Sequence, residues 1–200
     1  MSTEIHNPFF YFQGRRFEAI VGNRGPYGHF FGGETAVTIE NQPEDFRGIH
    51  RVLTLDLHDP ILSPIFPGLE RLILFHGFEY DPADCEYFME DSNRIKISKF
   101  DAKYYSANWP YVNYPVFFPS VPFVLTEPTA CTLGEFSKRV WQGVKQRFEN
   151  EFVAIVPPSD AYGVNLWHDK SAWNPNFDHI HVKFFVNPLT RRVETYNECD

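Results

Sequence analysis

The sequence predicts an α+β fold built on a largely antiparallel sheet, in a single domain that spans residues 1–200. Three observations support this prediction. Short segments rich in β-branched and aromatic residues fill the first half, one long stretch has helical periodicity, and two alternating segments end the chain. With 43% hydrophobic residues, including 21 Phe, the chain has enough apolar surface to build its own core.

Strands are predicted at 15–21, 34–40, 50–57 and 69–78, because these segments favour extended backbone and Gly or Pro separates them. A fifth strand follows, in which Ile95 and Ile97 alternate with polar residues.

The stretch 109–128 has five prolines, which exclude a regular helix and disfavour a central strand. Its many aromatic residues predict an ordered segment packed on the body of the protein.

One long amphipathic helix is predicted from about residue 132 to 149. Thr132 and Glu135 have the spacing of a capping box. The apolar residues that follow recur every three or four positions, so this helix is expected to pack on the sheet. The solvated side should carry its Lys and Arg residues.

A C-terminal β-hairpin is predicted around the turn residues Asn187 and Pro188. Its first strand contains His179 and His181, which share one face and could bind a metal with His168 or Asp169. A metal-dependent enzyme is therefore the alternative function. Lys183 on the same face argues against a metal, and the strand reads more simply as amphipathic, with His179, His181 and Lys183 outward. The inward residues are Ile180, Val182, Phe184 and Val186.

The formal charge of −8 disfavours nucleic acid as a partner. No apolar stretch is long enough for a transmembrane helix, so we expect a cytoplasmic protein without membrane contact. Three widely spaced cysteines indicate reduced thiols. No nucleophile elbow, P-loop or H-E-x-x-H motif is present, and we expect neither catalytic residues nor a cofactor.

The segment 79–91 combines acidic and aromatic residues and contains no Lys or Arg. It lacks the central glycine and alternating oxygen ligands of a calcium loop. Carboxylates that attract a basic partner, with aromatic anchors between them, are typical of a protein-binding surface. The predicted partner-binding residues are Glu79, Tyr80, Asp81, Asp84, Glu86, Tyr87, Glu90 and Asp91.

The segments GHFFGGETAV, RVLTLDLHDPILSP and FPGLERLILFHGFEYDP resemble, in order and spacing, the YwqG-like family of bacterial proteins. The resemblance covers residues 29–82 and lacks the Pro and Trp-Pro that usually follow Phe-Gly-Gly in that family. It implies a sheet-rich α+β domain without an established activity.

In its overall profile the chain is similar to immunity proteins of bacterial polymorphic-toxin and type VI secretion systems. These are small, acidic, aromatic-rich cytoplasmic proteins. The resemblance implies a non-catalytic protein that neutralises a toxin by direct binding, with a basic toxin domain as its partner.

Overall fold

The computed structural model describes residues 7–34, 36–42, 49–77, 84–101, 117–132, 134–135, 150–157 and 180–199. Thirteen strands occur in these ranges. In chain order they are β1 Phe9–Phe12, β2 Arg15–Val21, β3 Phe30–Phe31, β4 Thr38–Glu40, β5 Ile49–Asp56, β6 Arg71–Gly77, β7 Asp84–Asp91, β8 Arg94–Asp101, β9 Val121–Leu125, β10 Thr129–Ala130, β11 Phe152–Val156, β12 Ile180–Val186 and β13 Arg192–Cys199.

The predicted α+β class is wrong, because the regular secondary structure of the described residues is almost entirely β-strand. Thr132 and Glu135 do form the predicted capping pair, with the Thr132 amide donating to the Glu135 carboxylate at 2.9 Å. Only Gly134 and Glu135 are helical in the described ranges, and residues 136–149 lie outside them.

The strands follow one continuous path of hydrogen-bonded neighbours, in the order β4-β8-β7-β13-β12-β11-β1-β2-β9-β3-β5-β6, with β10 beside β2. Within the described part, β4 and β8 are the one parallel pair. The predicted hairpin is present as the antiparallel pair β12 and β13.

The path folds back so that β6, at one end, lies over β7 and β13. The amide of Phe75 in β6 donates to the Tyr87 hydroxyl in β7 at 2.9 Å. His76 in β6 lies 2.9 Å from the Thr195 hydroxyl in β13. The sheet thus covers its own apolar face with strands. One core cluster contains residues from both sides of this fold, including Leu74 of β6 and Val193 of β13.

A proline sits in the middle of the sheet, contrary to our expectation for 109–128, since β9 lies between β2 and β3. The carbonyl of Pro122 accepts from the Gly22 amide at 2.8 Å, on the β2 side. The backbone of Pro122 therefore faces Gly22, just after the end of β2, so the missing N–H affects only the last position of the β2–β9 pairing. Phe118 and Phe123 are buried, as the aromatic content predicts.

The Phe-Gly-Gly segment after β3 makes a close crossing that only glycine allows. Gly32 has φ +62°, and a Cβ there would lie 2.2 Å from the carbonyl oxygen of Pro119. At Gly33, with φ +88°, a Cβ would lie 2.4 Å from the guanidinium of Arg51.

The central strands are buried on both faces. Val182, Phe184 and Val186 belong to the main core, as predicted for the inward face of β12. A second buried cluster on the opposite face contains Phe9, Tyr11, Val153, Ile155 and Phe185. Lys183 is only 4% exposed, so its predicted position on a solvated face is wrong.

Candidate functional site

Residues 84–91 of the acidic segment form strand β7. Cys85, Tyr87 and Met89 alternate into the core. Tyr87 is fully buried, and burial raises the pKa of its hydroxyl well above the ordinary value. Its ring belongs to the core, in contrast to the surface role predicted for it. The predicted residues Glu79, Tyr80 and Asp81 lie outside the described ranges.

Glu86 is held by groups from both neighbouring strands. Arg192 in β13 donates to its carboxylate at 2.5 Å, and the Ser98 hydroxyl in β8 donates to it at 2.8 Å. The hydrogen bond from Arg192 is the main cause that lowers the pKa of Glu86. Arg192 also pairs with Glu194 at 2.7 Å. The charge of Glu86 is therefore largely compensated within the sheet.

The other acids of β7 remain exposed. Arg94 lies 3.9 Å from a carboxylate oxygen of Glu90 and 3.9 Å from one of Glu40. Surface ion pairs at this distance are weak. Asp91 accepts the Asn93 amide at 2.7 Å, which fixes the β7–β8 turn. Asp84, Glu90 and Asp91 are thus the predicted acids that the fold leaves accessible to a partner.

A polar groove of about 420 Å³ opens beside the β7–β8 turn. Two carboxylates and two guanidinium groups line it, together with backbone of neighbouring turns. Arg191, from the turn between β12 and β13, donates to the carbonyl of Glu90 at 3.2 Å. The charged lining residues are Glu70, Asp91, Arg94 and Arg191.

A buried pair of side chains, His29 and Asp59, lies near the C-terminal end of β5. His29 Nε2 is 3.0 Å from a carboxylate oxygen of Asp59, and the Asp56 amide donates to His29 Nδ1 at 3.0 Å. Because Nδ1 accepts a hydrogen bond, Nε2 carries a proton and donates a hydrogen bond to Asp59. Both ring nitrogens of His29 therefore make hydrogen bonds, and the side chains of His29 and Asp59 are only 2% and 6% exposed. This pair anchors the chain before β3 to the turn after β5 and is poorly placed to act as a base.

The side chain of Asp56 strengthens the same connection. It accepts the amides of Gly28 at 2.9 Å and His58 at 3.0 Å. Burial raises the pKa of the Asp56 carboxyl, but the hydrogen bonds from Gly28 and His58 outweigh it and lower the value to about 2.

A second histidine, His76 of β6, is buried where β6 lies over β13. His76 pairs in register with His50 of β5, and its Nε2 lies 3.3 Å from the side-chain oxygen Oδ1 of Asn197 in β13. Burial lowers the pKa of His76 to about 3, outweighing the hydrogen bond to Asn197. The imidazole is therefore neutral, and its hydrogen bonds connect β6 to β13.

The thiol of Cys85 is equally enclosed. Burial, helped by the charge of Glu86, raises its pKa to about 12. A thiol with this pKa is a poor nucleophile at neutral pH.

The residues of the alternative metal site cannot be assembled from the described chain. His181 is half-buried on β12, while His168, Asp169 and His179 lie outside the described ranges. Within those ranges no group of three or more His, Cys, Asp or Glu side chains is arranged to hold a metal ion.

Sequence reasoning missed the cations that surround β7. Arg191 and Arg192 follow the turn of the predicted hairpin, and both contact β7, about 100 residues earlier in the chain. No local signal identifies such a pairing. The alternation of β7 itself, with Cys85, Tyr87 and Met89 on one face, could have shown that Tyr87 points inward.

Comparisons with known proteins give no match to any family model, curated protein or solved structure. The resemblance to the YwqG-like family therefore stays a prediction.

No helix in the described residues has the length and apolar character needed to cross a membrane.

Proposed function

We propose that this chain is a non-catalytic binding protein, most specifically a bacterial immunity protein that neutralises a cognate toxin in the cytoplasm by direct binding. The observation that carries the proposal is the set of exposed carboxylates at the two ends of β7: Asp84 at its start, and Glu90 and Asp91 at its end. They lie on an ordered strand of a chain with a formal charge of −8.

The electrostatic argument concerns encounter between the partners. A negatively charged surface attracts a basic toxin cleft and accelerates association, whereas close packing afterwards slows dissociation. Glu86 contributes less than the sequence predicts, because Arg192 compensates its charge.

The state of the reactive side chains also supports a binding role. His29 uses both ring nitrogens in internal contacts, and His76 and Cys85 are buried with pKa values that keep them neutral. Their placement serves the stability of the sheet.

Stopped-flow association with the purified product of the toxin gene next to this one tests the proposal. Asp84→Asn combined with Glu90→Gln removes two charges from β7, and Glu34→Gln combined with Glu127→Gln removes two exposed charges elsewhere. We expect the β7 variant to lower the association rate constant several-fold at low salt, with a smaller effect at high salt.

The control pair should change the rate far less. Equal effects of the two variants would remove β7 from the interface. If the wild-type protein binds no toxin encoded beside it, the proposed function is wrong.

A further inference from the structure

The turn between β12 and β13 projects an apolar side chain into solvent. Leu189 is 90% exposed, the highest value among the large hydrophobic residues of the described part. Asn187 fixes the turn, since its side-chain oxygen accepts the amides of Leu189 and Thr190 at 3.0 Å each. The Arg191 amide donates to the Asn187 carbonyl at 2.9 Å.

Contacts with β7 hold the same turn in place. Arg191 has φ 59°, a left-handed conformation that usually falls to glycine or asparagine. Its carbonyl accepts the Met89 amide at 3.0 Å, and its guanidinium donates to the Glu90 carbonyl at 3.2 Å. The turn is thus preorganised, and a partner that binds Leu189 loses little conformational entropy in ordering it.

The groove lies next to this turn, because Arg191 is both the last residue of the turn and part of the groove wall. Arg94 already faces Glu40 and Glu90. The carboxylates of Glu70 and Asp91 also line the groove, and in the described part neither has a cation within 4.0 Å. Arg191 is a cation of the same wall, and in the described part no carboxylate lies within 4.0 Å of it. A basic side chain entering here would therefore meet two carboxylates and one guanidinium without ion-pair partners, a net charge of −1.

We infer that the toxin docks on this end of the sheet, which deepens the proposed function and rests on it. Leu189 enters an apolar pocket of the toxin, and a Lys or Arg of the toxin enters the groove between Glu70 and Asp91. An aliphatic anchor beside a polar contact is the arrangement typical of binding hot spots.

The test measures the dissociation constant between variants of the full chain and the neighbouring toxin, catalytically inactivated. Leu189→Ala removes the anchor without touching the core, and Ile20→Ala, at a side chain 44% exposed on β2, is its matched control. We expect Leu189→Ala to weaken binding about tenfold or more and Ile20→Ala to leave it nearly unchanged.

The groove is tested separately with Glu70→Gln combined with Asp91→Asn, which removes both charges and keeps the acceptor that Asp91 offers to the turn. Binding should weaken several-fold, and melting temperatures of all variants verify folding. If the wild type binds but both variants bind within twofold of it, the inference fails and the immunity function stands. Absence of wild-type binding overturns both.

Discussion

The buried imidazole of His76 should make the stability of this protein depend on pH in a defined range. Its pKa is lowered from 6.5 to about 3 in the folded state. The folded protein therefore keeps His76 neutral where the unfolded chain protonates it. The stabilisation is complete above pH 6.5 and is lost as the pH falls from 6.5 towards 3.

The size of this effect follows from the pKa difference. One pKa unit corresponds to about 1.4 kcal/mol, so the full contribution is on the order of 5 kcal/mol. Between pH 6 and 4 the free energy of unfolding should fall by roughly 1 kcal/mol per pH unit from this group alone. Carboxylates add their own slopes, so the contribution of His76 must be measured as a difference between proteins.

Urea unfolding of the wild type and His76→Gln between pH 7 and 4 measures that difference. The variant should be less stable at pH 7, with a shallower loss of stability on acidification. Thr195→Val is the matched control, because it removes a hydrogen bond to His76 and leaves the titrating ring in place. Equal slopes for the wild type and His76→Gln would refute the reasoning.

Three further predictions concern other parts of the fold. Gly32→Ala should destabilise the protein by roughly 2 kcal/mol or more, as chemical denaturation can measure, and clearly more than the control Gly22→Ala. Both glycines have positive φ, but a Cβ at Gly32 would meet backbone atoms, whereas a Cβ at Gly22 would meet nothing within 4 Å. Iodoacetamide should label Cys131 much faster than Cys85 in native protein at pH 8, as mass spectrometry can show, since Cys85 is buried with a raised pKa. Asp56→Asn should be less stable than the wild type by roughly 1 kcal/mol above pH 4, because solvent screening reduces the effect of the lowered pKa at this partly exposed carboxyl. The difference should vanish as the pH falls towards 2, which acid titrations of the two proteins measure.

Local pattern predicted several strands accurately. The segment 15–21 is β2, Arg15–Val21, and the hairpin around Asn187 forms as expected. These segments are specified by alternation and by turn residues, which act over a few positions. The capping pair Thr132 and Glu135 is likewise local and is present.

The predicted fold class failed for a tertiary reason. The sequence was expected to cover the apolar face of the sheet with a helix, whereas β6 folds over β7 and β13 and covers it. The prolines of 109–128, Pro122 among them, were expected to disfavour a central strand. The backbone of Pro122 faces the last position of the β2–β9 pairing, and only the staggered pairing of β9 with β2 and β3 shows this.

The sequence by itself determined where many strands begin and end, the excess of negative charge and the acidic character of residues 79–91. The tertiary structure decided which of the described acids remain exposed. Glu86 is compensated by Arg192, which lies 106 residues away in the chain, and Tyr87 turns into the core beneath Phe75. Strand pairing sets these contacts, and pairing between distant segments depends on the packing of the whole sheet, which no local pattern of residues records.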